Sequence, residues 1–175
     1  MSRARLSENR STAPTLRAGD LLVANLLPVS VAVHQVSFVV RTDGHFEESE
    51  RVTGLHDRNS IYHKETGLIS SPEMELIHSK VRAFAAVAEP IFRCVMEEEP
   101  DPFEAESADR RSLGYEFGTE HRTMSTWMIN YAASHDQRAE CVTLFNEIWK
   151  CLIGLVVIRY FTFDAEFAIP VQSMA

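Results

Sequence analysis

His63 and Glu65 stand one residue apart in the stretch YHKETG. A His-x-Glu step opens the zinc deaminase signature, in which the histidine holds the metal and the glutamate moves the proton. That signature also needs a Pro-Cys-x-x-Cys element, and the chain has none. A second pair, Glu120 and His121, lies in GTEH. Neighbours in a strand point to opposite faces and cannot form a tight acid–base pair, whereas at a turn tip they can. Glu120, His121, Glu65 and His63 are therefore the candidate residues for a small enzyme.

The other routes to chemistry close quickly. There is no H-E-x-x-H, no CxxC and no Gly-Lys-Ser/Thr phosphate loop. The acidic residues lack the spaced oxygens and central glycine of a calcium loop. Seven histidines are scattered from His34 to His135, with no local metal-ligand spacing. Cys94 follows Arg93 and Cys141 follows Glu140, but both sit within helical stripes, where a thiol is buried and inert. Cys141 and Cys151 are ten apart on one predicted helix, roughly 15 Å by rise, too far to bridge. Three cysteines without a close pair read as reduced thiols. Neither a catalytic site nor a cofactor nor a metal is expected, and the chain reads as a non-enzyme.

Charge gives the more positive signal. Glu97, Glu98, Glu99, Asp101, Glu104, Glu106 and Asp109 are seven acids in thirteen residues, with no base among them and Phe103 in the middle. Asp101-Pro102-Phe103 has the form of a short docking peptide, with the ring as anchor and the acids steering toward a basic surface. The alternative is a solvated loop whose phenylalanine returns to its own core. Residues 1–19 carry Arg3, Arg5, Arg10 and Arg17 against Glu8, for +3; with −8 overall, the remainder is −11. So acidic a body disfavours nucleic acid as its ligand. The arm alone suits phosphate, an anionic membrane surface or a neighbouring acidic body.

These groups need elements to hold them. Residues 1–18 read as a flexible basic arm, 19–170 as one domain, and 97–111 as an acidic connecting loop. Residues 21–40 carry no formal charge over the length of a membrane span, and upstream arginines imitate a signal's basic region. Asn25, Pro28, Ser30, His34, Gln35 and Ser37 interrupt the run, and no small-residue cleavage site stands out. It reads as two buried strands, or a short helix ended by Pro28 and then a strand. Secretion and spanning are not expected; a cytoplasmic location is, with peripheral membrane contact through the arm as the variant.

Val36, Phe38 and Val40 alternate, and Asp43-Gly44 supplies a hairpin turn. The return strand carries Glu47, Glu48 and Glu50 and reads as a sheet edge. A short strand is expected near Ile61–Lys64. Ser71-Pro72-Glu73 opens a helix whose stripe is Ile77, Val81, Phe84, Ala88, Ile91 and Val95, kinked or split at Pro90. Leu113, Tyr115 and Phe117, then Thr123, Ser125 and Trp127, predict a second hairpin turning at Gly118. Ser134 and Gln137 form a capping box for a second helix, stopped by Gly154, and Leu155–Phe163 reads as a buried strand. The fold class is α+β: a mostly antiparallel sheet of two hairpins plus a C-terminal strand, packed with two amphipathic helices.

The element order, with VVRTDGHF in an early hairpin and LGYEFGTEHRTMSTW before the last helix, is loosely similar to that of small rhabdovirus matrix proteins. The similarity is one of arrangement over about 100 residues, and it implies assembly and budding at a membrane. The acidic net charge departs from the usual basic matrix protein. The leading expectation is a self-associating assembly protein. The alternative is an acidic antagonist or chaperone of a basic partner, of the toxin-immunity or secretion-chaperone type. In either case Glu47, Glu48, Glu50, Glu97, Glu98, Glu99, Asp101, Phe103, Glu104 and Glu106 face the partner.

Overall fold

The computed structural model describes residues 13–26, 33–53, 60–100 and 111–156. The uncharged run folds as two strands, β1 (Asp20–Leu26) and β2 (Val33–Arg41), rather than a helix and a strand. Leu22, Ala24 and Leu26 face one side with Val36, Phe38 and Val40, all buried. Two of the polar residues that break the run, Asn25 and Ser37, bond each other on the opposite side. Ser37 Oγ donates to Asn25 Oδ1 at 2.8 Å, and Asn25 Nδ2 donates to the Pro14 carbonyl at 3.0 Å. Among the described residues no helix is long and apolar enough to cross a membrane.

Gly44 turns the chain with φ 89°, and its N–H bonds the Arg41 carbonyl. Asp43 accepts from the His45 N–H. β3 (His45–Thr53) follows, then β4 (Ser60–Leu68), longer than the expected Ile61–Lys64. β5 (Arg111–Phe117) and β6 (Glu120–Ser125) complete an antiparallel sheet in the order β4-β3-β2-β1-β5-β6. β3 is thus internal, not an edge: β2 and β4 flank it. Its polar sequence imitates a solvated edge because its inward positions hold glutamates.

The first helix, α1 (Ser71–Glu98), is capped one residue earlier than expected. The Glu73 carboxylate accepts from both the N–H and the hydroxyl of Ser70. The predicted stripe is buried along its whole length. The helix continues through Pro90 instead of splitting. The carbonyl deprived of the proline N–H belongs to Ala86, which lies on the exposed side. Glu97 and Glu98 belong to this helix rather than to the connecting loop, and residues 101–110 lie outside the described residues.

Gly118 turns the second hairpin with φ 64°. The inward residue of β6 is Met124, opposite Leu113, not the Thr123/Ser125 set. Trp127 belongs to a short helix, α2 (Thr126–Tyr131). The last helix, α3 (Arg138–Leu155), starts after Gln137 without a side-chain cap from Ser134. Arg138 anchors that end instead, donating to the Ile129 carbonyl and to Asn130 Oδ1, both at 3.2 Å. Gly154 is helical rather than a left-handed stop, and Leu155 closes the helix instead of opening a strand. The rest of the expected C-terminal strand falls outside the described residues.

The architecture is therefore α+β, with helices on one face of an antiparallel sheet. Phe84 of α1 meets Tyr115 of β5 edge-on at 5.3 Å and Phe145 of α3 at 6.0 Å. Phe38 of β2 meets Trp149 of α3 edge-on at 6.1 Å.

Candidate functional site

The acidic residues named from the sequence do not form one surface. Alternation along β3 divides its three glutamates. Glu47 lies on the outer face and pairs with Lys64 at 3.0 Å. Glu48 and Glu50 point inward and are buried, in line with Phe46. They do not face a partner, because the register sets Glu48 opposite Glu65 and Glu50 opposite His63. Two strands thus gather three carboxylates and an imidazole on the inner face.

His63 Nε2 lies 3.7 Å from Glu65 Oε2 and 4.0 Å from Glu48 Oε2. Glu48 is 3% exposed, and its Oε2 has no hydrogen-bond partner among the described residues. Desolvation, then the Glu50 and Glu65 charges, raise its carboxyl to about 7. This group can hold or give up a proton near neutrality. Among the described residues no group of three or more His, Cys, Asp or Glu has the geometry to hold a metal ion.

The remaining enzyme candidates lie elsewhere. β4 and β6 are the two outermost of the described strands. Five strand spacings, roughly 24 Å, separate His63 from His121. Glu120 ion-pairs with Arg122, while His121 reaches Glu116 at 3.5 Å, so the adjacent pair is divided between two faces. The thiols are held protonated: burial pushes Cys141 up to about 12, and burial together with Glu98 raises Cys94.

The exposed acidic surface is the C-terminal end of α1. Met96 is 56% exposed, and Glu97, Glu98 and Glu99 are exposed beside it. The last turn holds no basic residue. Glu99 adopts the left-handed conformation, φ 46°, while its N–H bonds the Val95 carbonyl. Glu98 accepts from the Tyr131 hydroxyl at 2.7 Å. Asp101, Phe103, Glu104 and Glu106 lie beyond the described residues, as do Arg3, Arg5 and Arg10. Arg17 is exposed, and its N–H donates to Asp20 Oδ2.

One charged site is only half visible in the sequence, through the i,i+4 spacing of Glu89 and Arg93. Glu89 of α1 is buried and accepts from Arg93 Nε at 2.9 Å and from Arg122 Nε at 3.1 Å. The Arg122 guanidinium also lies 4.7 Å over the Phe92 ring. Arg122 and Arg93 hold the Glu89 carboxyl below its ordinary value of 4.5. Glu89→Gln should cost about 1 kcal/mol at neutral pH in denaturant unfolding. A lowered carboxyl stabilises above its unfolded value, and that gain is lost as pH falls through the folded value. The wild-type–variant difference should therefore shrink as the pH drops below about 4.5.

No protein-family model matches the chain, and no curated protein matches it.

Proposed function

We propose that the protein is a non-enzymatic, self-associating assembly protein in which the basic arm of one copy docks on the acidic end of α1 in the next. The observation that supports this reading is the composition of that end. Three exposed carboxylates crowd the negative pole of a 28-residue helix with no base in its last turn. Each such charge is unfavourable by about 0.3–1 kcal/mol, and a cation placed there relieves it. A non-glycine residue in the left-handed region adds backbone strain at the same point. Met96 offers an apolar contact beside the charges. Arg3, Arg5, Arg10 and Arg17 supply the complementary charge within the same chain. A cytoplasmic location belongs to the same proposal, resting on the odd number of cysteines.

Sedimentation velocity over a concentration series tests it. The expected result is a mass that grows with concentration at low salt and falls at high salt, since exposed charges are screened beyond about 8 Å at physiological strength. Removing residues 1–12, or combining Glu97→Gln, Glu98→Gln and Glu99→Gln, should abolish the growth without lowering the melting temperature. A protein that stays monomeric throughout would overturn self-association. Co-purification of that monomer with one basic protein would point to the antagonist form. Pelleting with anionic vesicles that requires the arm, but not the α1 glutamates, would point to a membrane surface.

A further inference from the structure

We propose that the inner face of the β3–β4 pair is a proton-operated latch, in which protonated Glu48 keeps the edge strand β4 docked and loss of that proton loosens it. The geometry rests on four in-register positions. Glu50 lies two residues along the same strand, Glu65 stands directly across, and His63 stands across from Glu50. From the other side, β2 presents apolar groups, with Phe38 opposite Glu48 and Val36 opposite Glu50. α3 contributes Trp149 against Phe38. Arg111 of β5 lies over the Trp149 and Phe145 rings and donates to Asn146. Lys64, the base on β4, points to the opposite face and serves Glu47.

In the protonated state Glu48 adds no charge to this buried cluster. When the proton passes to solvent, a third carboxylate charge is left in an apolar setting beside Glu50 and Glu65. Water cannot reach it without movement, because the residue is 3% exposed. Two strands could part to admit water. β3 is held by β2 on its far side, whereas β4 has no second neighbour among the described strands. The strand that yields is therefore β4.

The sign follows from linkage. A carboxyl raised from 4.5 to about 7 in the folded state takes up a proton on folding. Its contribution is full below the unfolded value and is lost as pH rises through the folded one. Protection of the β4 amides, corrected for intrinsic exchange, should fall about tenfold between about pH 5 and pH 8, while β1 and β5 hold steady. Glu48→Gln keeps the shape without the titration and should hold β4 protection high across that range. Glu65→Gln should lower the Glu48 midpoint without abolishing the transition. A carbon-detected titration of the Glu48 carboxyl in the wild-type protein decides the matter even if a variant fails to fold. A midpoint in the ordinary carboxylate range, or a Glu48→Gln profile identical to wild type, would overturn the latch.

Discussion

Trp149→Ala should lower stability by about 3–5 kcal/mol. The indole is 1% exposed and meets Phe38 edge-on, which ties α3 to the middle of the sheet. On its other side the Arg111 guanidinium lies 5.8 Å from the ring centre. Truncation would open a cavity that neither a strand nor a helix can close by shifting. It would also deprive the buried Arg111 guanidinium of one of its two aromatic neighbours. The indole Nε1 is buried without a hydrogen-bond partner among the described residues, so this residue contributes there by shape rather than by its N–H. Trp149→Phe removes that unsatisfied donor and keeps an aromatic face. It should cost less than about 1.5 kcal/mol. Urea unfolding of both variants separates the two contributions. Equal losses would mean that the N–H, not the packing, matters.

The readable and unreadable parts of this fold differ in kind. α1 was legible because every cue in it is local: Pro72, Glu73 and a stripe at steps of three and four. The two hairpin turns were legible for the same reason, since Asp43-Gly44 and Gly118 act within four residues. Alternation shows which residues share a face, but not which face is inner when both carry polar groups. On β3 that ambiguity decided the outcome. Glu47, Glu48 and Glu50 look like one acidic patch in the sequence, and the strand puts one outside and two inside. His63 and Glu65 do share a face, as two-residue spacing requires. Their meeting with Glu48 depended on the β3–β4 register, which no single strand encodes. The Glu89–Arg122 pair spans 33 residues and lies still further from any local cue. Trp127 reads as strand because an aromatic after an alternating run suits either state, whereas the chain turns helical one residue earlier.

Gly67→Ala should cost about 2 kcal/mol, more than its place on an outer strand suggests. Gly67 stands opposite Phe46 in the β3–β4 register. A Cβ there would come within 2.6 Å of Phe46 Cε1 and 3.0 Å of Cζ. The ring lies over the bare glycine and covers backbone that would otherwise face water. It is itself 7% exposed and packed into the core, so it cannot swing aside freely. Glycine is required here by contact rather than by dihedral angle, because its φ is not positive. That distinction can be tested. If the ring is the obstacle, Phe46→Leu should cancel part of the Gly67→Ala loss in a double-mutant cycle. If backbone entropy alone mattered, alanine would stabilise the strand regardless of residue 46. Phe46 and Glu48 are neighbours on one face, so displacing the ring also disturbs the wall beside the buried carboxyl. Coupling between residues 46 and 67 would show that apolar packing of the Phe46 ring on Gly67 sets how β4 sits at its Leu68 end.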